Sequence, residues 1–244
     1  MLTQWLQTNT TKETIDRHYL RFDQEKNDDG TRKTTSASDL WKHLQNPEKD
    51  ALWQQLCKEQ GYICAYCGQS LDEKSKVRIE HLKVKSADIR GTFDYKNLVA
   101  VCDSTSNQEG MHCDVLREDK DISVYPTEAK CETAFYYLLN GLVDSKNNKE
   151  IEETIKVLGL NANENLVQDR KNYYNIANSS VKRYLTKNKF VKDKSFCESL
   201  NRLAQQLLVK HVSGNIAYRE YCFVDYQIYK QNCPNLQPLL RNQK

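Results

Sequence analysis

The chain has little of what bends or breaks a backbone, with only 8 glycines and 4 prolines in 244 residues. That scarcity leaves few obligatory turns. With 39% hydrophobic and 28% charged residues, it places the sequence among soluble, mostly helical globular proteins and gives no sign of disorder throughout. A long hydrophobic run is also missing. No stretch approaches the roughly 18 apolar residues that a bilayer-spanning helix needs. Met1-Leu2-Thr3-Gln4-Trp5 lacks the basic and apolar regions of an export signal, so a cytoplasmic protein is expected. An excess of one charge is absent as well: 36 Lys plus Arg stand against 33 Asp plus Glu, a net charge of +3. Attraction to nucleic acid must therefore be local rather than global. No internal repeat or low-complexity tract is present.

Cysteine is what the sequence does have, in an odd count of 9. In a reducing compartment a tight Cys-x-x-Cys pair reads as metal-binding or redox rather than as a disulfide. Cys57, Cys131, Cys197, Cys222 and Cys233 read as packing residues.

The polar stretch 22–38, containing Asp-Asp-Gly, reads as a surface loop. Asp39 can cap a helix carrying Leu40, Trp41 and Leu44. After Pro47 a second helix carries Leu52, Trp53 and Leu56 until Gly61 stops it. Val77 to Leu82 and Asn97 to Cys102 are short and β-branched or apolar, as two strands of a small hairpin would be. Beyond Pro126 the spacing turns helical. Thr127 can cap a segment holding Phe135, Leu138, Leu139 and Leu142, and Ile151, Ile155 and Leu158 form another that ends at Gly159. Further helices are expected over 164–185, 195–210 and 216–229.

Four cysteines surround the expected hairpin. Cys64-Ala65-Tyr66-Cys67 stands before it, Cys102 ends its second strand, and Cys113 follows. A two-residue gap lets both thiolates of the first pair face one ion at about 2.3 Å, so a structural Cys₄ zinc site is expected. The second pair is split by an insertion from Asp103 to His112, and His112 could replace Cys113 as a ligand. A redox pair or two buried thiols is the competing reading of Cys64 and Cys67, but no thioredoxin-like βαβ pattern surrounds them.

Between the cysteine pairs stands Arg78-Ile79-Glu80-His81-Leu82, followed by Asp94-Tyr95-Lys96-Asn97-Leu98-Val99 and then Cys113-Asp114-Val115-Leu116-Arg117. This succession, a carboxylate and His on one strand, Asn opening the next, and a ligand after a Cys at a helix start, resembles the HNH or ββα-metal nucleases. The resemblance covers about Cys64 to Arg117. It implies that His81 is the general base that activates water, that Glu80 is a metal ligand, and that Asn97 holds the loop and orients the histidine. Asp114 takes a place where many members have His or Asn, and His112 or Asn107 are alternatives for that ligand. Arg117 is a candidate phosphate clamp.

The chemistry calls for these residue types. In-line attack on a phosphodiester requires a deprotonated water and stabilisation of charge on the phosphate and the leaving oxygen. Histidine titrates near neutrality and can accept the proton. Glu80 and Asp114 supply hard oxygens suited to Mg²⁺ or Mn²⁺. Each has a plainer role open to it: His81 as a structural residue, Asp114 as a first-turn helix acid favoured by the dipole. Local charge agrees with a phosphate partner, since Lys74, Lys76, Arg78, Lys83, Lys85 and Arg90 outnumber Glu80 and Asp88. A second basic patch, Lys182, Arg183, Lys187, Lys189, Lys192 and Lys194, is interleaved with Tyr184 and Phe190. These rings could stack on bases or line a solvated helix face.

The lead-in Glu59-Gln60-Gly61-Tyr62-Ile63-Cys64, together with Ile79-Glu80-His81, His112-Cys113-Asp114 and the late Val157-Leu158-Gly159-Leu160-Asn161, is similar to the PtuB-type HNH proteins. These are nuclease subunits of Septu and of some retron anti-phage systems, and they work with an ABC/SMC-like ATPase of the PtuA type. The resemblance implies such an ATPase partner, in a retron also a reverse transcriptase and its msDNA, and a nucleic-acid substrate. The resulting expectation is an α+β protein in which a small zinc-stapled ββα-metal module, residues 51–126, lies between an N-terminal helical region, 1–50, and a C-terminal helical region, 127–244. The expected activity is metal-dependent phosphodiester hydrolysis. A zinc-stabilised scaffold that binds nucleic acid without cutting it is the alternative.

Overall fold

The computed structural model describes residues 36, 38, 41, 42, 44, 48–71, 77–84, 89–105 and 110–238. The expected loop over 22–38, the Asp39 cap, Asn107, and Lys74, Lys76 and Lys85 lie outside these residues or almost entirely so.

Helix α1, Glu48–Gln60, buries Leu52, Leu56 and Cys57 along one face. It ends where Gly61 and Tyr62 both take left-handed backbone conformations, with the Tyr62 amide donating to the Cys57 carbonyl at 2.7 Å. Its last side chain docks it onto the sheet. Gln60 accepts from the Ala100 amide at 2.6 Å and donates to the Ala100 carbonyl at 2.7 Å, as a neighbouring strand would.

Strands β1, Val77–His81, and β2, Leu98–Cys102, pair antiparallel, with Glu80 opposite Val99 and His81 opposite Leu98. All five residues of β2 are buried, which accounts for its continuous apolar run. Helix α2, Cys113–Arg117, packs against β2 and completes a compact ββα unit. The protein is thus mixed helix and strand, as expected.

The C-terminal half is less purely helical than the spacing predicts. The segment holding Phe135, Leu138, Leu139 and Leu142 is not a Thr127-capped helix. It is a short helix α3, Cys131–Ala134, followed by a small hairpin of β3, Tyr136–Tyr137, and β4, Val143–Asp144. Asn140-Gly141 turns the chain, and a Cβ on Gly141 would lie 1.9 Å from the Val167 carbonyl oxygen. The close approach of the next long helix therefore requires glycine there. Helix α4, Lys149–Val157, is capped by Asn148, and α5, Glu164–Lys187, by Asn163. Helix α6 covers Lys194–Gln205. The expected helices over 195–210 and 216–229 are corrected next to it: β5, Leu208–Lys210, and β6, Ile216–Tyr218, form a hairpin before α7, Cys222–Asn232. Ser213-Gly214-Asn215 supplies the turn chemistry that helical spacing alone overlooked.

Helices α5, α6 and α7 share a core of Leu166, Ala177, Val181, Phe196, Leu200, Val224 and Ile228. Cys57 and Cys222 are buried thiols, in keeping with packing. Cys197 and Cys233, expected to be packing thiols too, instead form a disulfide between α6 and the residue after α7. Their Cα atoms are 5.6 Å apart, an ordinary spacing for such a bond. The C-terminal half also grips the module: the Tyr218 amide donates to the Gly61 carbonyl and the Tyr221 amide to that of Gly68, each at 2.9 Å.

Candidate active site and metal centre

The four cysteines converge. The Sγ atoms of Cys64, Cys67, Cys102 and Cys113 lie within 4.8 Å of one another and all four residues are buried. Separations are 3.6 Å for Cys67–Cys102 and Cys102–Cys113 and 3.9 Å for Cys64–Cys113. A tetrahedron with Zn–S bonds of about 2.3 Å has edges of about 3.8 Å, so the donors fit zinc without rearrangement. Local backbone explains the convergence. The Ile63–Ser70 bridge closes the first knuckle, the Cys102 amide points at Cys64 Sγ from 3.3 Å, and Cys113 enters α2 with a left-handed φ of 56°. Burial opposes ionisation of Cys64, yet hydrogen bonds from Cys102, Cys113 and Cys67 hold it well below the ordinary thiol range.

His112 is buried beside this cluster rather than in place of Cys113. Its Nδ1 is 3.1 Å from Cys113 Sγ and 3.8 Å from Cys102 Sγ. Ser104 fixes its backbone by accepting from the His112 amide at 3.0 Å and donating to its carbonyl at 2.7 Å. Burial pushes the imidazole below its usual range, so it stands as a neutral neighbour of the sulfurs.

On the α2 side of β1 the structure brings Glu80, Asp114, Arg117, Tyr66 and Arg78 together. Glu80 is buried, and its Oε1 accepts from Arg117 Nη1 and, at 3.3 Å, from the Tyr66 hydroxyl. Burial first, then the hydrogen bond and charge of Asp114, push the Glu80 carboxyl up to about 8, against the pull of Arg117. Two carboxyl groups that repel in this way form a site a cation would satisfy. Asp114 Oδ2 also accepts from Arg78 Nε at 2.5 Å. The side chain of Arg78 remains 42% exposed, with Nη1 3.9 Å from Asp103 Oδ1.

Arg117 is placed differently from a phosphate clamp. It is fully buried, and its donors are taken up by Glu80, the Tyr66 hydroxyl at 2.8 Å, and the carbonyls of His81, Leu82 and Lys120 at 3.0, 2.6 and 2.8 Å. It is a positioning residue that ties the start of the β1–β2 loop to α2. The exposed cation beside the carboxylates is Arg78, two residues before Glu80 on the same face of β1. In the sequence it stands as one of several bases between Lys74 and Arg90. The i, i+2 alternation was the signal that set it apart. Tyr66, between two cysteines, carried no such signal.

Consecutive strand residues project to opposite faces, and the contacts of His81 follow. Its ring packs edge-on against Trp41, with centroids 4.7 Å apart, and Nε2 lies 2.9 Å from the Thr92 carbonyl oxygen. A carbonyl can only accept, so Nε2 carries the proton and Nδ1 is the basic nitrogen. Asn97 clamps the same loop: it accepts from the Lys83 amide at 2.7 Å and donates to the carbonyls of Lys83 and Gly91 at 3.1 Å. The contact between His81 and its neighbour runs through the backbone: the His81 amide donates to Glu80 Oε2 at 3.0 Å.

No family model matches the chain. A search of characterised proteins finds 32% identity over 80 residues with the protein named as the HNH endonuclease of retron Ec83 in Escherichia coli. The match covers 29% of this chain and 31% of that protein, so it spans about a third of its length. Over that stretch the chain is similar to a protein named as an HNH endonuclease, and it carries the ββα unit, cysteine cluster and carboxylate pair just described. Among the described residues no helix is long and apolar enough to cross a membrane.

Proposed function

We propose that this chain is a metal-dependent HNH endonuclease that hydrolyses phosphodiester bonds in DNA or RNA, acting as the nuclease subunit of an anti-phage complex of the Septu or retron kind. The observation that carries the reading is the pairing of Glu80 with Asp114 on a ββα frame that brings four cysteines together, with His81 following Glu80 at the end of β1. The partial similarity to a retron protein supports the defence setting and, through it, a PtuA-type ATPase partner and a cytoplasmic location.

Glu80 and Asp114 would hold a Mg²⁺ or Mn²⁺ ion, and Cys64, Cys67, Cys102 and Cys113 a structural zinc. The divalent ion at the carboxylates supplies neutralisation of charge on the phosphate and the leaving oxygen. His81 accepts the proton of the attacking water at Nδ1, while the Thr92 carbonyl fixes its tautomer. Asn97 sets the position of the loop that carries that carbonyl. Arg117 holds Glu80 in place, and Arg78, exposed beside Asp114, meets the phosphate.

The test is cleavage of DNA and RNA by the purified chain, alone and with the ATPase, in Mg²⁺ or Mn²⁺, comparing wild type with His81→Ala. Loss of a general base lowers the rate by about 10²–10⁴-fold. Cleavage that survives the substitution, or no cleavage by either protein in any combination, overturns the proposal in favour of a zinc-stabilised scaffold.

A further inference from the structure

Helix α5 starts beside the cysteine module and packs along α7 and α6. Its N-cap, Asn163, donates to the Gly110 carbonyl at 2.9 Å, and 24 residues carry it about 36 Å to the far end. There the chain turns sharply. Lys189 and Phe190 both hold left-handed conformations, φ 51° and 65°, and their amides donate to the Thr186 and Leu185 carbonyls at 3.1 and 2.7 Å. A non-glycine pair in this region is strained. Both amides are nevertheless hydrogen-bonded, so the backbone that carries the Phe190 ring is held to the end of α5.

What it carries is an aromatic ring in water: Phe190 is 74% exposed and Val191 next to it 54%. Within four residues of it in the chain are the exposed side chains of Lys187, Lys189, Lys192 and Lys194, with Lys182 and Arg183 one turn and more back on α5. Between residues 182 and 194 the only acid is Asp193, and it is engaged as the cap of α6, accepting from the Phe196 amide at 2.9 Å. Lys192 reaches Asn232 at 2.9 Å and Lys194 reaches Glu198 at 4.0 Å; neither contact removes the local excess of positive charge. Behind the knob a shallow groove on α5 is lined by Asn175, Ile176, Ser179, Ser180 and Arg183. Short hydrogen-bonding side chains and a guanidinium are groups that contact phosphate and sugar. Residues 176, 180, 183 and 187 share one helix face, so groove and knob form one stripe.

We propose that this stripe is a second nucleic-acid contact, remote from the cleavage site, which holds a single strand by its phosphates and stacks an unpaired base on Phe190. A cationic track with an exposed ring suits a flexible polyanion whose bases are free to stack. A duplex would offer the charge but no open base face. The surface stands or falls apart from the nuclease reading.

Fluorescence anisotropy of a labelled oligothymidylate of about 15 nucleotides tests it. The full chain is used without added Mg²⁺ or Mn²⁺, with a duplex of equal length and phosphatidylserine vesicles as comparison probes. Phe190→Ala should weaken oligothymidylate binding about tenfold and duplex binding less than about twofold. Because the ring is exposed, the fold should be untouched, which circular dichroism checks. The triple variant Arg183→Gln, Lys187→Gln, Lys189→Gln should reduce the slope of log affinity against log salt by about two. Unchanged affinity and slope in both variants overturn the proposal, as does a loss confined to vesicle binding. A variant-sensitive binding surface on a chain that cuts nothing would sustain this inference while removing the nuclease reading. Cleavage without any effect of these variants on binding would do the reverse.

Discussion

The Cys113 amide donates to the Leu158 carbonyl at 2.8 Å, so the second cysteine knuckle is closed by a loop that lies far downstream in the chain. The Leu-Gly-Leu-Asn run at that point has a physical purpose. Leu158 meets the knuckle, Gly159 lets the loop come close, and the Leu160 carbonyl accepts from Arg170 on α5 at 2.6 Å. The module and the C-terminal half are therefore coupled through this contact, and the first expectation concerns its glycine.

Gly159 has a φ of 61°, and a Cβ there would lie 2.5 Å from Leu116 Cδ2 and 3.1 Å from the Met111 carbonyl oxygen. Gly159→Ala should destabilise the protein by about 1–3 kcal/mol, through left-handed strain and displacement of Leu116. Urea unfolding measures it. A change below about 0.5 kcal/mol would show that the loop gives way freely.

Zinc should be present at about one per chain, and Cys102→Ser should abolish it, since Cys102 Sγ lies 3.6 Å from the sulfurs of both Cys67 and Cys113. Because metal binding at such a site is coupled to folding, the variant should also lose the cooperative unfolding of the module. Elemental analysis with near-ultraviolet circular dichroism reads both. A metal-free variant with unaltered unfolding would show that the cysteines are mere packing.

At about pH 9, where the Glu80 carboxyl is ionised in the parent, Arg117→Met leaves it buried without its cation, and breaking a buried pair on one side costs about 3–5 kcal/mol. The double variant with Glu80→Gln should recover part of that loss. Denaturant melts of the four proteins form a cycle, and additive effects of the two substitutions would contradict the coupling.

Asp225 is fully buried on α7, and burial pushes its carboxyl up to about 6 although Arg219, 2.6 Å away, pulls it down. Its folded pKa exceeds the unfolded value, so the native state binds the extra proton between about pH 4 and pH 6. Stability from this group is greatest below that window and declines as pH rises through it, by on the order of 2–3 kcal/mol. The difference in unfolding free energy between wild type and Asp225→Asn should follow that slope across pH 4 to 6. A flat difference would remove the assignment.

Much of the module was readable because its chemistry is local. The hairpin strands stand within one residue of their expected bounds, since a run such as Leu98-Val99-Ala100-Val101 buries on both faces wherever it pairs. Cys64 and Cys67 had to share a knuckle at their spacing. The hairpins at β3–β4 and β5–β6 were misread as helix because short apolar runs fit either period. There the deciding information was Asn140-Gly141 and Ser213-Gly214-Asn215, and the neighbours that force those turns.

By itself the sequence determined where groups capable of chemistry lie and which local elements hold them: four thiols at metal-binding spacing, Glu80-His81 at a strand end, Asn97 opening the next strand, and a long capped α5. Only tertiary structure decided which of them meet. It turned Arg117 inward to serve Glu80, left Arg78 exposed beside Asp114, placed His112 beside the sulfurs, and bonded Cys197 to Cys233. The reason is physical. Residue type and spacing set what a side chain can do and which face of its element it takes, but burial and partnership depend on elements distant in sequence, and no local pattern encodes their approach.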